Sequence, residues 1–203
     1  LDLYVANYGA LSLYRSGGSI QVRQENGKWV VIGPNSDRLR YVNGKIQEVG
    51  EADVLHLNDG SGHFHSLPWN SGHFLDPDGR PAPPPLDFGL SVQMRDINGD
   101  GFPDIYVCND FASPDRIWIN DGAGNFREIP RHAIRKRSGS SMGVDFADID
   151  RDGFLDFFTT EMRARNHMRQ MQDIPSILPQ LSFKRPIDER MDVLRNVLAH
   201  RAG

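Results

Sequence analysis

The sequence predicts an all-β fold: a partial β-propeller of about three blades, each a four-stranded antiparallel sheet, with acidic loops between strands and a partly helical insertion near the C-terminus. The first observation behind this is an internal repeat. Leu90-Ser-Val-Gln-Met-Arg-Asp-Ile-Asn-Gly-Asp-Gly-Phe-Pro-Asp-Ile-Tyr-Val107 recurs 52 residues later as Met142-Gly-Val-Asp-Phe-Ala-Asp-Ile-Asp-Arg-Asp-Gly-Phe-Leu-Asp-Phe-Phe-Thr159. The second is strand periodicity. Leu90, Val92 and Met94 alternate with polar neighbours, as do Met142, Val144 and Phe146, which is the pattern of a strand with one face in a core. The third is turn chemistry. Asp53-Val-Leu-His-Leu-Asn-Asp-Gly-Ser-Gly-His-Phe64 recurs as Asp115-Arg-Ile-Trp-Ile-Asn-Asp-Gly-Ala-Gly-Asn-Phe126, and Asn and Gly tolerate the positive φ of a tight hairpin.

Taken in order, Leu1 to Tyr8 matches the tail of the unit that ends Pro103-Asp-Ile-Tyr-Val-Cys-Asn-Asp110, so residues 1–8 read as the end of a truncated repeat in a piece of a longer array. Residues 9–52 read as a hairpin insertion, because Gln24 to Ile32 and Tyr41 to Gln47 each place Asn-Gly between strand formers. Residues 53–110 and 111–160 form two blade-sized units, each running strand, acidic loop or turn, strand. Within the first of these, between 76 and 88, Asp76-Pro-Asp-Gly-Arg-Pro-Ala-Pro-Pro-Pro85 is a turn followed by an extended, polyproline-like connector. Residues 161–195 are charged, Met-rich and expected to be partly helical, divided by Pro175, Pro179 and Pro186. Residues 196–203 resemble the start of a further repeat.

Composition narrows the function. The chain has 203 residues, 27 acidic and 23 basic, for a net charge of −4. No basic field exists to neutralise phosphates, so nucleic acid is not the expected partner. No apolar run is long enough to span a membrane as a helix. The single cysteine, Cys108, excludes an internal disulfide framework and a CxxC zinc site.

The chemistry lies in the acidic loops. Asp96-Ile-Asn-Gly-Asp-Gly-Phe-Pro-Asp104 and Asp148-Ile-Asp-Arg-Asp-Gly-Phe-Leu-Asp156 put oxygen-bearing side chains at positions one, three, five and nine. This spacing wraps a hard cation in oxygens, with a backbone carbonyl at position seven. The candidate ligands are therefore Asp96, Asn98, Asp100, the Phe102 carbonyl and Asp104, and Asp148, Asp150, Asp152, the Phe154 carbonyl and Asp156. Gly101 and Gly153, at position six, permit the sharp turn. In the second loop four carboxylates within nine residues, with only Arg151 as local relief, repel one another unless a cation neutralises them. An all-oxygen donor set points to Ca²⁺ rather than zinc or copper, and Mg²⁺ fits less well because it demands octahedral geometry. An EF-hand would need a Glu at position twelve and helical flanks, whereas Val107 and Thr159 stand there between β-rich segments.

Phe88-Gly89, the acidic loops and the strands after them resemble the FG-GAP/VCBS repeat family, which includes the head repeats of integrin α-subunits. Asp115 to Phe126 and Met142 to Asp148 are similar to bacterial relatives of cartilage acidic protein, without the ASPIC/UnbV segment often found there. The resemblance covers residues 1–8, 53–66 and 86–162. It implies a propeller, usually seven-bladed, secreted or surface-exposed, with Ca²⁺ held by the ten residues named above. It also implies that the remaining blades are missing from this chain. Asp2 matches only the last ligand of a third loop.

The remaining candidates have plainer readings. His63, His65 and His73 are expected on a solvent-facing strand and its surroundings, because Asn125 replaces His63 in the second copy. Cys108 is expected as a small buried residue, since Ala6 takes its place in the first copy. Asn109 and Asp110 are expected in a local turn, Arg131 to Arg137 in a solvated loop, and Met162, Met168 and Met171 over a sheet face. No G-x-S-x-G, HExxH or phosphate loop occurs. The expected function is a non-enzymatic, calcium-binding scaffold outside the cytoplasm that engages a protein or carbohydrate ligand. The alternative is a set of blades from a carbohydrate lyase or hydrolase whose catalytic residues lie elsewhere.

Overall fold

The structure, a computed structural model, describes residues 2–9, 19–42, 44–110, 113–130, 133–134, 138, 140–161 and 197–199. The strands are β1 (Leu3–Val5), β2 (Gln21–Glu25), β3 (Lys28–Ile32), β4 (Leu39–Val42), β5 (Lys45–Glu48), β6 (Val54–Asn58) and β7 (Phe64–Leu67). They continue with β8 (Phe74–Leu75), β9 (Gly89–Arg95), β10 (Asp104–Asn109), β11 (Arg116–Asn120), β12 (Phe126–Glu128), β13 (Ser141–Ala147), β14 (Asp156–Glu161) and β15 (Val197–Ala199). Among the described residues there is no α-helix, only 3₁₀ turns at Ser36–Arg38 and Trp69–Ser71. The partly helical insertion expected over 161–195 lies outside the described residues apart from Glu161, which ends β14. The described sheets do not close a ring.

Three sheets carry the repeat. The first has the order β1-β6-β7, the second β8-β12-β11-β10-β9 and the third β13-β14-β15. In the second, β9 to β12 form the expected antiparallel meander, and β8 adds a fifth strand parallel to β12. Sequence units and sheets are out of phase: β6 and β7, from the 53–110 unit, share a sheet with β1, while β9 and β10 from the same unit share one with β11 and β12. The smaller insertion hairpins are β2–β3 and β4–β5. Asn26 and Gly27, at φ 50° and 77°, supply the left-handed turn that Asn-Gly predicts for the first of them.

Pairing is in identical register in all three sheets. Tyr4 faces Leu55, Tyr106 faces Ile117 and Phe158 faces Leu198. Even the irregularity at the end of the β9–β10 ladder recurs at the same place in β13–β14.

Strand β10 shows how the sheets stack. All six of its residues are buried, which requires cover on both faces. Ile105 and Val107 pack with Tyr4 and Leu55 of the first sheet, together with Phe74, Trp118 and Phe126 of their own. Tyr106, Cys108 and Ile117 pack with Val144 and Phe146 of the third. Burying a side chain of this size contributes about 1.5–3 kcal/mol relative to leaving it in water. The Gln93 amide also donates to the Val144 carbonyl at 2.7 Å, tying β9 to β13. Cys108 is fully buried, as expected, and its thiol is pushed up to about 12 by burial and by the Asp115 charge.

On the outermost described sheets several side chains are exposed. Phe158 and Leu198 of the third sheet are 39% and 57% exposed, whereas their register equivalents Tyr106 and Ile117 are 1% and 4% exposed. On the first sheet Leu3 and Phe64 are exposed where Ile105 and Phe126 are buried.

Candidate metal centre

The loop 96–104 joins β9 to β10, and 148–156 joins β13 to β14. Each is folded around its first aspartate. Asp96 accepts backbone N–H bonds from Gly99 (2.7 Å), Asp100 (3.0 Å) and Gly101 (2.8 Å). Asp148 accepts them from Asp152 (3.0 Å) and Gly153 (3.1 Å). Positions three and five continue the scheme: Asn98 and Asp150 each accept from the N–H of position five, and Asp100 and Asp152 from that of position seven. These short-range bonds are why the sequence spacing yields a loop with its side-chain oxygens gathered inward. Gly101 and Gly153 take φ of 89° and 90°. Position four is also left-handed, with Gly99 at 82° and Arg151 at 64°. The second loop thus accepts a strained non-glycine residue, at a cost of about 1–2 kcal/mol.

The structure brings Asp148, Asp150 and Asp152 together, with one carboxylate oxygen from each within 4.8 Å of the others, all three exposed. In the first loop Asn98 replaces one carboxylate, and its amide donates to Asp100 at 2.7 Å. Asp104 and Asp156 stand behind these groups as the buried first residues of β10 and β14. Asp104 accepts from the N–H groups of Ile97 (2.8 Å), Asn98 (3.3 Å) and Asn120 (2.8 Å), and Asp156 from that of Ile149 (3.1 Å). Burial holds the Asp104 carboxyl above its usual range, and those donors partly offset the shift. Asp2 repeats one of these contacts, accepting the Asn58 N–H at 2.9 Å.

The bond from Asn120 couples the first acidic loop to the neighbouring Asn-Asp-Gly turn, since both lie at the same end of the sheet. The Phe102 ring closes the joint. A Cβ on Gly122 would come within 2.4 Å of that ring, and Gly122 has φ 73°, so a side chain there strains the backbone and displaces the ring.

Residues 96–159 match the FG-GAP-like repeat family. The matched repeat contains both acidic loops, β10 to β13 and most of β14. No curated protein and no solved structure matches the chain.

At the other end of the sheets the structure shows a repeated clasp, and Asn109, expected in a local turn, is instead buried at the end of β10 as part of it. Tyr106 donates to Asp115 at 2.8 Å, the Asn109 N–H donates to the same carboxylate at 3.0 Å, and the Asn109 amide donates to the Pro114 carbonyl. Tyr4, Asn7, Asp53 and Ala52 repeat every contact in the first sheet. The signal was present as Tyr4-Val-Ala-Asn7 and Tyr106-Val-Cys-Asn109, each followed by an Asp that precedes a strand. His63 and His65 are exposed, as expected. Asp110 is buried and accepts the Tyr8 hydroxyl at 3.2 Å, so it reaches beyond a local turn.

Proposed function

We propose that this chain is a calcium-binding, propeller-type repeat module that works as a non-enzymatic binding or adhesion scaffold outside the cytoplasm. The observation that carries the proposal is the convergence of Asp148, Asp150 and Asp152 oxygens within 4.8 Å, in a loop whose hydrogen-bond scheme is repeated at Asp96, Asn98 and Asp100. Three exposed carboxylates at that separation repel, and a divalent ion among them removes the repulsion. The donor set is entirely oxygen and flexible, which suits Ca²⁺. The residues that would hold it are those named from the sequence, Asp96, Asn98, Asp100, Phe102 and Asp104, and their equivalents Asp148 to Asp156.

Exposed sites of this kind suit millimolar calcium, which supports an extracytoplasmic location. The exposed side chains of Phe158 and Leu198, and of Leu3 and Phe64, have the register of covered ones. We read them as surfaces for further blades. The insertions at 9–52, between β1 and β6, and between β14 and β15 interrupt the same kind of link, the counterpart of the one from β10 to β11, at the end opposite the acidic loops. We assign ligand binding to that end, with a protein or carbohydrate as ligand. The test is thermal unfolding in millimolar calcium and in EGTA. Calcium that binds only the folded chain raises the melting temperature by several degrees, because binding free energy adds to stability. An identical melting temperature in both contradicts the reading.

A further inference from the structure

We propose that Asp53 is a proton-operated clasp between the first and second sheets, closing the joint when its carboxyl is protonated and loosening it when ionised. Asp53 is buried where the end of β1, the start of β6 and the start of β9 meet. Tyr4 donates to Oδ2 at 2.9 Å and the Asn7 N–H to Oδ1 at 2.7 Å, while Trp69 holds the Asp53 carbonyl at 2.7 Å. The second sheet presses on the same carboxylate. A Cβ on Gly89 would lie 3.0 Å from Oδ1, and the Gly89 N–H donates to the Asn7 carbonyl at 3.0 Å. The carboxylate therefore sits directly behind a backbone bond that joins the sheets.

Its twin shows what is missing. Asp115 receives the same two kinds of donor and a third from the next sheet, the Ser141 hydroxyl at 2.6 Å. Gly89 stands where Ser141 stands, opposite Asn109 as Ser141 is opposite Glu161. Asp53 thus accepts the same charge burden with one donor fewer. The charged groups around it do not make up the difference. From the segment before β9 comes Asp87, a like charge, and from β11 comes Arg116. Arg116 is already bound by Asp87 at 2.5 Å and by Glu128 of β12 at 2.7 Å. On its own segment Glu51 is paired with Arg38 at 3.1 Å.

Burial accordingly raises the Asp53 carboxyl from 3.8 to about 6; the Asn7 and Tyr4 donors oppose the shift and Asp87 adds to it. A carboxyl raised on folding stabilises the folded chain fully below its unfolded pKa, and that stabilisation is lost as pH rises through the folded one. The window therefore runs from about pH 4 to just above pH 6.

The experiment is urea unfolding of the full chain and of Asp53→Asn at fixed saturating calcium, across about pH 4.5 to 7.5. The neutral amide mimics the protonated acid, so the folding constant of D53N exceeds that of the wild type at the upper pH. The ratio shrinks by about 30-fold toward the lower pH. Parallel pH profiles overturn the proposal. Carboxyl ¹³C titration of the wild type gives the same decision if the variant does not fold. One aspartate with a midpoint near 6 upholds the clasp, and ordinary midpoints for all of them sink it.

Discussion

Asp104→Ala lowers the stability of the chain by about 3–5 kcal/mol in EGTA, and by more in calcium, where a ligand is lost as well. The carboxylate has no exposed surface and accepts three backbone N–H groups, two from the acidic loop and one from Asn120 of β11. Alanine leaves all three without their acceptor, at about 1–3 kcal/mol for each one that water cannot reach. The joint between loop and turn opens at the same moment. Urea unfolding in EGTA checks this. A loss that appears only when calcium is present would make Asp104 a ligand and nothing more, and a loss below about 1 kcal/mol would deny it the structural role.

Trp118→Ala costs a further large amount, about 3–5 kcal/mol. Trp118 is buried at the centre of the first interface, its ring 5.5 Å from both Trp69 and Phe74, within the cluster that includes Tyr4 and Leu55 of the first sheet. Removing it opens a cavity between two sheets whose other contacts are rigidly placed by backbone pairing, so collapse into the void is limited. Its indole N–H has no partner among the described residues. Trp118→Phe, which deletes that buried donor while keeping a ring, is consequently much the milder change. Equilibrium unfolding of the two variants separates them, and equal losses would contradict the cavity argument.

Much of this architecture is legible before any coordinates. The order strand, acidic loop, strand, connection, strand, Asn-Asp-Gly turn, strand is realised from β9 to β12 because each step has a local cause: alternation for the strands, Asx chemistry for the loops, positive φ for the turns. Cys108 reads correctly because a small residue recurs at Ala6.

What is not legible depends on stacking. Asp53 and Asp115 look like turn formers ahead of strands, and only the contact with the next sheet buries them. Phe64 and Phe126 are identical in the repeat, yet one is exposed and the other buried, since β8 covers only the second. Strand β8 itself is two residues long and pairs in parallel with a segment about fifty positions away, which no periodicity can announce. The acidic loops illustrate the division well. Spacing alone names their oxygens, but it does not show that position nine of the first loop is pinned by Asn120, or that the exposed carboxylates at one, three and five of the second converge on a common point.

Calorimetric titration of the metal-free chain with Ca²⁺ decides whether both loops hold the ion. The wild type binds two ions and Asp150→Ala one, because that substitution removes one of the three converging carboxylates from the second loop alone. Absence of calcium-dependent heat, or the same stoichiometry in both proteins, would contradict this.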